Sequence, residues 1–338
     1  MRIWFNKTFS TISAVLINLR QSVPTGEVTL ICTHVHATAA VFLAADESYL
    51  EPEELTGQAY VEWCVDFCRQ HNISVFWPGK EAALISQYHA FFQAIGVEVL
   101  SVADFDTLTL LHDKAAFYSQ LKPSVAKAMD FIAVNTVEEF DQAIVTLSNK
   151  HESLCVKPAV SVFGLGFRVL DTQRDSITHL LKGVEYQIPL KELRQGLDNT
   201  PQFNTLLVME NLAGHEWSVD CAGRHGELLC AVQRQKSPLP GYGQLIDNNQ
   251  EIQEMVTRLT AHYRLNGLFN IQFKMGVNGP RLLEINPRPS GGFGMACLSG
   301  VNLAQIILFS LKGLSLTLPQ IHYGRKVTEV NTPVILQA

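Results

Sequence analysis

The chain has 338 residues, 47% of them hydrophobic and 17% charged, with a formal charge of −6. That length calls for roughly two or three compact units rather than one core, and the balance is that of an ordinary globular protein. No basic tract supports a nucleic-acid partner, and no run of about 18 apolar residues could span a membrane.

The seven cysteines are scattered, and Cys64 and Cys68 are the only close pair. Their i, i+4 spacing puts them on one helix face. No second pair or nearby His cluster completes a zinc site, so they read as buried thiols. An odd count with no secretion signal fits a reducing compartment. Residues 1–21 carry an early Arg and Lys ahead of an apolar stretch, but Ser and Thr interrupt it, Arg20 ends it, and no small-residue cleavage site follows. The expected location is the cytoplasm.

Residues 1–105 alternate strand and helix. Strands are expected at 2–5, 27–32, 73–77 and 97–100, and helices at 8–19, 57–70 and 81–95, the last closed by Gly96. That alternation predicts a Rossmann-like parallel sheet with crossover helices. No G-x-G-x-x-G opens a helix, so a dinucleotide site is unsupported. His34, His36 and Lys80 follow strands at the edge where such sheets hold ligands. Each is open to a substrate role or to being a solvated loop residue.

Residues 106–208 read as a linker helix and a lid. A helical stretch runs from His112 through Asp113 and Lys114 to Leu121, before Pro123. A helix at 137–147, a strand at 153–158 ending on Lys157 and Pro158, a turn at 161–168 and a resumed strand at 169–170 follow. The turn, SVFGLGFR, contains Ser161, Gly164 and Gly166. Glycines let a backbone approach a triphosphate closely and lay N–H groups over it. It is not a Walker loop, because G-K-[ST] is missing. A helix at 176–181 and a polar stretch at 183–202 complete a subdomain expected to be mobile until nucleotide binds.

Residues 209–338 form the third expected domain. The strand at 205–209 runs into Glu210, Asn211 and Leu212, and Glu216 precedes a strand at 217–221. An apolar strand entering a Glu-containing linker offers adenine a backbone edge and a ribose its acceptor. Asp220 lies in register with Glu216 and stands to orient neighbouring cations. A strand at 228–233 leads into Arg234 and Lys236, and a helix covers 251–263. Residues 270–275 and 281–285 then read as a β-hairpin about a turn at 276–280. Strand alternation puts Glu284 and Asn286 on one face, and Gln272 can share it. One carboxylate and two amides, leaving room for water and phosphate, suit Mg²⁺ better than zinc. A buried helix at 303–311 and a short strand at 325–330 end the chain.

The ending E-I-N-P-R-P-S-G-G, with Gln272 on the strand before it, resembles the metal end of ATP-grasp enzymes. The likeness is to the branch containing the large chain of carbamoyl-phosphate synthetase and to ATP-grasp proteins associated with tellurite-resistance gene clusters. It spans roughly residues 110–312 and implies a Rossmann-like domain followed by an ATP-grasp fold, with a lid and a C-terminal antiparallel-sheet subdomain. It implies ATP with Mg²⁺ (or Mn²⁺ in its place), the metal being held by Gln272, Glu284 and Asn286. Lys114 and Lys157 match the family's two phosphate-binding cations, and Ser161, Gly164 and Gly166 its phosphate loop. Glu210, Asn211 and Leu212 fall at the adenine, Glu216 at the ribose, and Arg234 and Lys236 where related enzymes aim cations at phosphate or acceptor. Catalytic work falls to Arg288, Lys157 and Asn286. The implied activity is carboxylate–amine ligation through an acyl phosphate on small amino-acid-like or peptide-like substrates, with a homodimer as the family's habit. A phosphotransferase or carboxyphosphate-forming unit, and a non-catalytic ATP-binding protein, are the alternatives.

Overall fold

Arg2–Asn6 (β1) and Thr29–His34 (β2) are nearly unbroken buried runs, as expected of strands covered on both faces. They join Glu47–Leu50 (β3), Val75–Pro78 (β4) and Glu98–Val99 (β5) in a parallel sheet of order β3-β2-β1-β4-β5. The structure, a computed structural model, describes every residue except 9–10, 25, 162–164, 185, 201, 239–240, 316, 331 and 336–338. Ile12–Arg20 (α1) packs against Ile3, Phe5 and Leu30 on one face. Gly57–Gln70 (α2) covers Trp4, Ile31 and Phe76 on the other, burying Cys64 and Cys68. Burial holds the Cys68 thiol up at about 12. The helix expected at 81–95 is two, Ala82–Gln87 (α3) and His89–Gln93 (α4), because Tyr88 leaves helical geometry at φ −103° and ψ 22°.

Two compact units divide the chain: Met1–Thr109, His215–Phe273 and Glu284–Ala338 form one, and Leu110–Gly214 with Lys274–Leu283 form the other. Phe105–His112 (α5) precedes Lys114–Gln120 (α6). Asp113 separates them by capping α6, its side chain accepting from the N–H groups of Ala115 and Ala116. The second unit continues with Phe131–Thr136 (β6), Val137–Ser148 (α7), Leu154–Pro158 (β7) and Arg168–Asp171 (β8). Ser176–Leu181 (α8), Gln187–Pro189 (β9), Leu190–Asp198 (α9) and Gln202–Glu210 (β10) follow. Its sheet runs β6-β10-β7-β8-β9, antiparallel except between β8 and β9. A reciprocal Thr136–Glu139 capping box starts α7, which buries Phe140 and Leu147 in this unit's core.

A six-stranded sheet has the order β15-β14-β11-β12-β13-β16. Its strands are Glu216–Arg224 (β11), Glu227–Lys236 (β12), Gln244–Asp247 (β13), Gly267–Gly276 (β14), Gly279–Asn286 (β15) and Lys326–Val327 (β16). Gln250–His262 (α10), Phe293–Cys297 (α11) and Leu303–Leu311 (α12) supply its helices. Side chains of α11 and α12 share one core with α1 and with Ala222 and Val232 of β11 and β12. A parallel sheet, a mainly antiparallel sheet and the hairpin-bearing sheet together give the α/β architecture implied by the sequence. Among the described residues no helix is long and apolar enough to cross a membrane.

Candidate functional site

In the second unit, α6 and β7 carry the candidate phosphate ligands. Lys114 opens α6 and is 8% exposed; its Nζ donates to the Ser161 carbonyl at 2.7 Å. Lys157, on β7 opposite Leu207 of β10, donates from Nζ to the Tyr118 hydroxyl at 3.0 Å. Ser161 Oγ lies 3.5 Å from the Pro158 carbonyl, and Gly166 takes a left-handed φ of +83°. Gly164, the central glycine of the expected loop, lies outside the described residues. Arg168 turns its guanidinium to the Phe167 carbonyl at 2.7 Å.

The candidate adenine edge leaves β10 in the same unit. Glu210 faces His151, whose Nδ1 is 3.5 Å from Glu210 Oε1 and whose Nε2 is 3.0 Å from Asp130 Oδ2. Asn211 is doubly tied to Ser153, through its N–H to the carbonyl at 2.9 Å and its Nδ2 to Oγ at 3.0 Å. Leu212 is buried beside them and supplies an apolar wall. The fixed backbone and the carboxylate at its margin suit a planar polar base.

In the first unit, Glu216 and Lys236 stand at the paired ends of β11 and β12 and form an ion pair. Arg234 is placed differently from an arginine open to phosphate. It is fully buried, with Nε and Nη2 on Asp220 Oδ2 at 2.9 and 2.6 Å, Nη2 also on Ser218 Oγ and Ser290 Oγ, and Nη1 on Gln244. Asp220 thus orients a cation, as its register suggests. Its Oδ1 receives Asn270 Nδ2 at 3.3 Å, and Gln272 Nε2 donates on to Asn270 Oδ1 at 3.4 Å.

The metal candidates occupy the hairpin. The first five residues of β14 are all buried, and buried and half-buried residues alternate only from Ile271 to Lys274, leaving Gln272 half-buried. On β15 the alternation slips at Leu283 and Glu284, both half-buried, and resumes with Ile285 buried and Asn286 half-buried. Glu284 and Asn286 therefore share the accessibility of Gln272. Asn286 Nδ2 donates to Glu284 Oε1 at 2.9 Å, which commits its nitrogen and leaves its carbonyl oxygen for a cation. The described residues contain no cluster of three His, Cys, Asp or Glu able to hold a metal. One carboxylate plus two amide oxygens is a hard, low-charge set, and it fits Mg²⁺ that keeps phosphate and water ligands. Arg288 follows, its Nη1 on the Pro289 carbonyl at 3.1 Å. Burial pulls its guanidinium below the ordinary value, while Glu284 and Asp220 pull the other way.

Tyr118, Asn270 and Ser290 escape the sequence reading. The first had a usable signal: it stands four residues after Lys114 on one helix, hence on the same face.

Residues 202–333 match the family model described as "ATP-grasp in the biosynthetic pathway with Ter operon". Carnosine synthase 1 of Homo sapiens is 33% identical over 132 residues, covering 34% of this chain and 16% of the human protein. The Mus musculus protein is 35% identical over 102 residues, covering 27% of this chain and 12% of its own. The chain thus spans under a fifth of the curated relatives that it matches. N5-carboxyaminoimidazole synthetase from Staphylococcus aureus superposes with a TM-score of 0.66 at 14% identity, over 95% of this chain and 80% of that one. That enzyme has also been solved complexed with ADP. L-amino acid ligase from Bacillus licheniformis superposes with a TM-score of 0.60 at 15% identity, over 92% and 74% of the two chains. These likenesses run through both units, and the matched segment contains the hairpin with its Glu284–Asn286 pair. Over residues 202–333 the chain is thus similar to an ATP-grasp family, and over nearly its whole length it shares the fold of these solved enzymes.

Proposed function

We propose that this chain is an ATP-dependent carboxylate–amine ligase acting on small amino-acid-like or peptide-like acids. The observation that carries the reading is the oxygen-donor set Gln272, Glu284 and Asn286 followed by Arg288, within the segment matching the family model. The relatives named for carnosine synthesis and for amino-acid ligation support the substrate class.

In this reading Glu210, Asn211 and Leu212 take the adenine and Glu216 the ribose. Lys114, Lys157, Ser161 and Gly166 take the phosphates, offsetting charge that positioning alone cannot relieve. Gln272, Glu284 and Asn286 would hold Mg²⁺, which supplies charge neutralisation at the phosphates. A carboxylate oxygen of the acid attacks the γ-phosphorus; the new O–P bond forms as the bridging O–P bond breaks and ADP leaves. Arg288 stabilises the acyl phosphate. An amine then forms the C–N bond, the C–O bond to phosphate breaks, and the amine gives up a proton. Lys236 serves the acceptor end, and Arg234 contributes through Asp220 rather than by touching phosphate.

Incubating the purified protein with ATP, Mg²⁺ and pooled amino acids and small acids tests the proposal. ADP with a new amide supports it. ADP with a phosphorylated acceptor makes the protein a phosphotransferase, and nucleotide binding without turnover makes it a binding protein.

A further inference from the structure

Tyr118 sits four residues after Lys114 on α6, 5% exposed, with its ring 5.4 Å from that of Phe131. Among the described residues its hydroxyl meets two groups of fixed polarity. The Lys157 ammonium can only donate, and it does so from 3.0 Å. The Leu283 carbonyl can only accept, so it takes the phenol proton. The phenol oxygen must therefore present its lone pairs to Lys157. The ammonium also lies 5.1 Å from the ring centroid, within cation–π range. Meanwhile Lys114, one turn earlier, donates to the Ser161 carbonyl at 2.7 Å. One face of a two-turn helix thus engages both candidate phosphate lysines and the strand residue just before Glu284.

We infer that Tyr118 is a positioning residue that sets the Lys157 ammonium for the nucleotide's phosphates. The inference rests on the reading that Lys157 binds phosphate, and goes beyond it by naming the group that aims it. A four-carbon stem leaves an ammonium many rotamers, and fixing one before binding removes that cost from the binding step.

The test is a calorimetric titration of MgADP and of MgATP into the wild type, Tyr118→Phe, Lys157→Met and the double variant. Tyr118→Phe keeps the ring and loses the hydroxyl, and it weakens nucleotide binding roughly tenfold, as expected for a hydrogen bond to a charged group. In the Lys157→Met background the same change has no further effect. Equal loss in both backgrounds would mean that Tyr118 braces the fold without acting through Lys157, and would overturn the inference. So would wild-type affinity in Tyr118→Phe. Because Tyr118→Phe strips the Leu283 carbonyl of its donor and could unfold the chain, fluorotyrosine at position 118 gives a second measurement. It keeps the donor and weakens the acceptor, so it lowers nucleotide affinity without lowering the melting temperature; unchanged affinity overturns the inference. A wild type that binds no nucleotide defeats the phosphate reading itself and the inference with it, and this outcome is distinct from all the others.

Discussion

Arg234 Nη2 and Asp220 Oδ2 meet at 2.6 Å where each side chain is only 1% exposed. Taking two charges out of water costs several kcal/mol per ion unless every remaining donor and lone pair is satisfied. Here they are well satisfied. Ser218 and Ser290 lie within hydrogen-bond distance of Nη2, Gln244 accepts from Nη1, and Asn270 donates to the second carboxylate oxygen. The pair reaches Gln272 through Asn270 on one side and the loop after Asn286 through Ser290 on the other. It is a fixed polar floor beneath the candidate metal and acyl-phosphate residues of the same unit.

Removing one partner should therefore cost far more than removing both. Arg234→Met leaves Asp220 buried and uncompensated, and the expected loss is about 3–5 kcal/mol of unfolding free energy. Arg234→Met combined with Asp220→Leu should recover most of it. Urea unfolding of the three proteins measures this, and additive losses in the double variant would show that the pair is not coupled.

Gly292 offers a steric test of the same floor. A Cβ there would sit 2.3 Å from Arg234 Nη1 and 2.7 Å from its Cζ, atoms that the network holds in place. Gly292→Ala should cost about 1–3 kcal/mol by overpacking. Gly291→Ala, with nothing within 4 Å of its Cβ, should stay within about 0.5 kcal/mol of the wild type. Thermal melts of both variants separate the two cases.

The sequence announces this floor only in part. Asp220 is readable from its register with Glu216, but a strand arginine followed by Gln and Lys reads as an outward cation, and nothing local shows that Asn270 and Ser290 close over it. Long periodic segments are plain for the opposite reason: in α2 and α12 the burial repeat is complete within the element, so the bounds 57–70 and 303–311 follow directly. Strands β3, β6, β9 and β13 have no more than six residues each, and β3 alternates only half-buried with exposed residues, which leaves little hydrophobic pattern to read. Strand alternation does pair Glu284 with Asn286 on β15, both half-buried and hydrogen-bonded to each other, but it does not foretell that Leu283 between Leu282 and Glu284 is also only half-buried.

Acid should unfold the second unit partly through Asp171. The carboxylate is held below its usual range, first by the side-chain bond to His179 and then by the N–H groups of Gln173 and Arg174. A depressed folded-state value means that the stabilisation is present above the unfolded value of about 3.9 and is lost as the pH falls through the folded value. Asp171→Asn should therefore melt below the wild type at neutral pH. The gap should narrow below about pH 4 and close in stronger acid. Calorimetric melts from neutral to acid pH check this, and a gap that stays constant would assign the loss to packing.

Glu284→Ala tests the chemistry most directly. Glu284 is the sole carboxylate of the proposed magnesium set, and Asn286 Nδ2 leans on it at 2.9 Å, so its removal deletes a ligand and releases a second. The side chain is only half-buried near the end of β15, so the hydrophobic core around Ile285 and Leu282 is untouched and the melting temperature should stay near the wild-type value. ADP release should fall by at least about a hundredfold, the scale of losing one preorganised electrostatic partner. Chelation should abolish wild-type ADP release, and added Mg²⁺ should restore it better than Ca²⁺, because a three-ligand set leaves the octahedral positions to phosphate and water. ADP release that survives Glu284→Ala at normal Mg²⁺ dependence would falsify the assignment of this hairpin as the metal end.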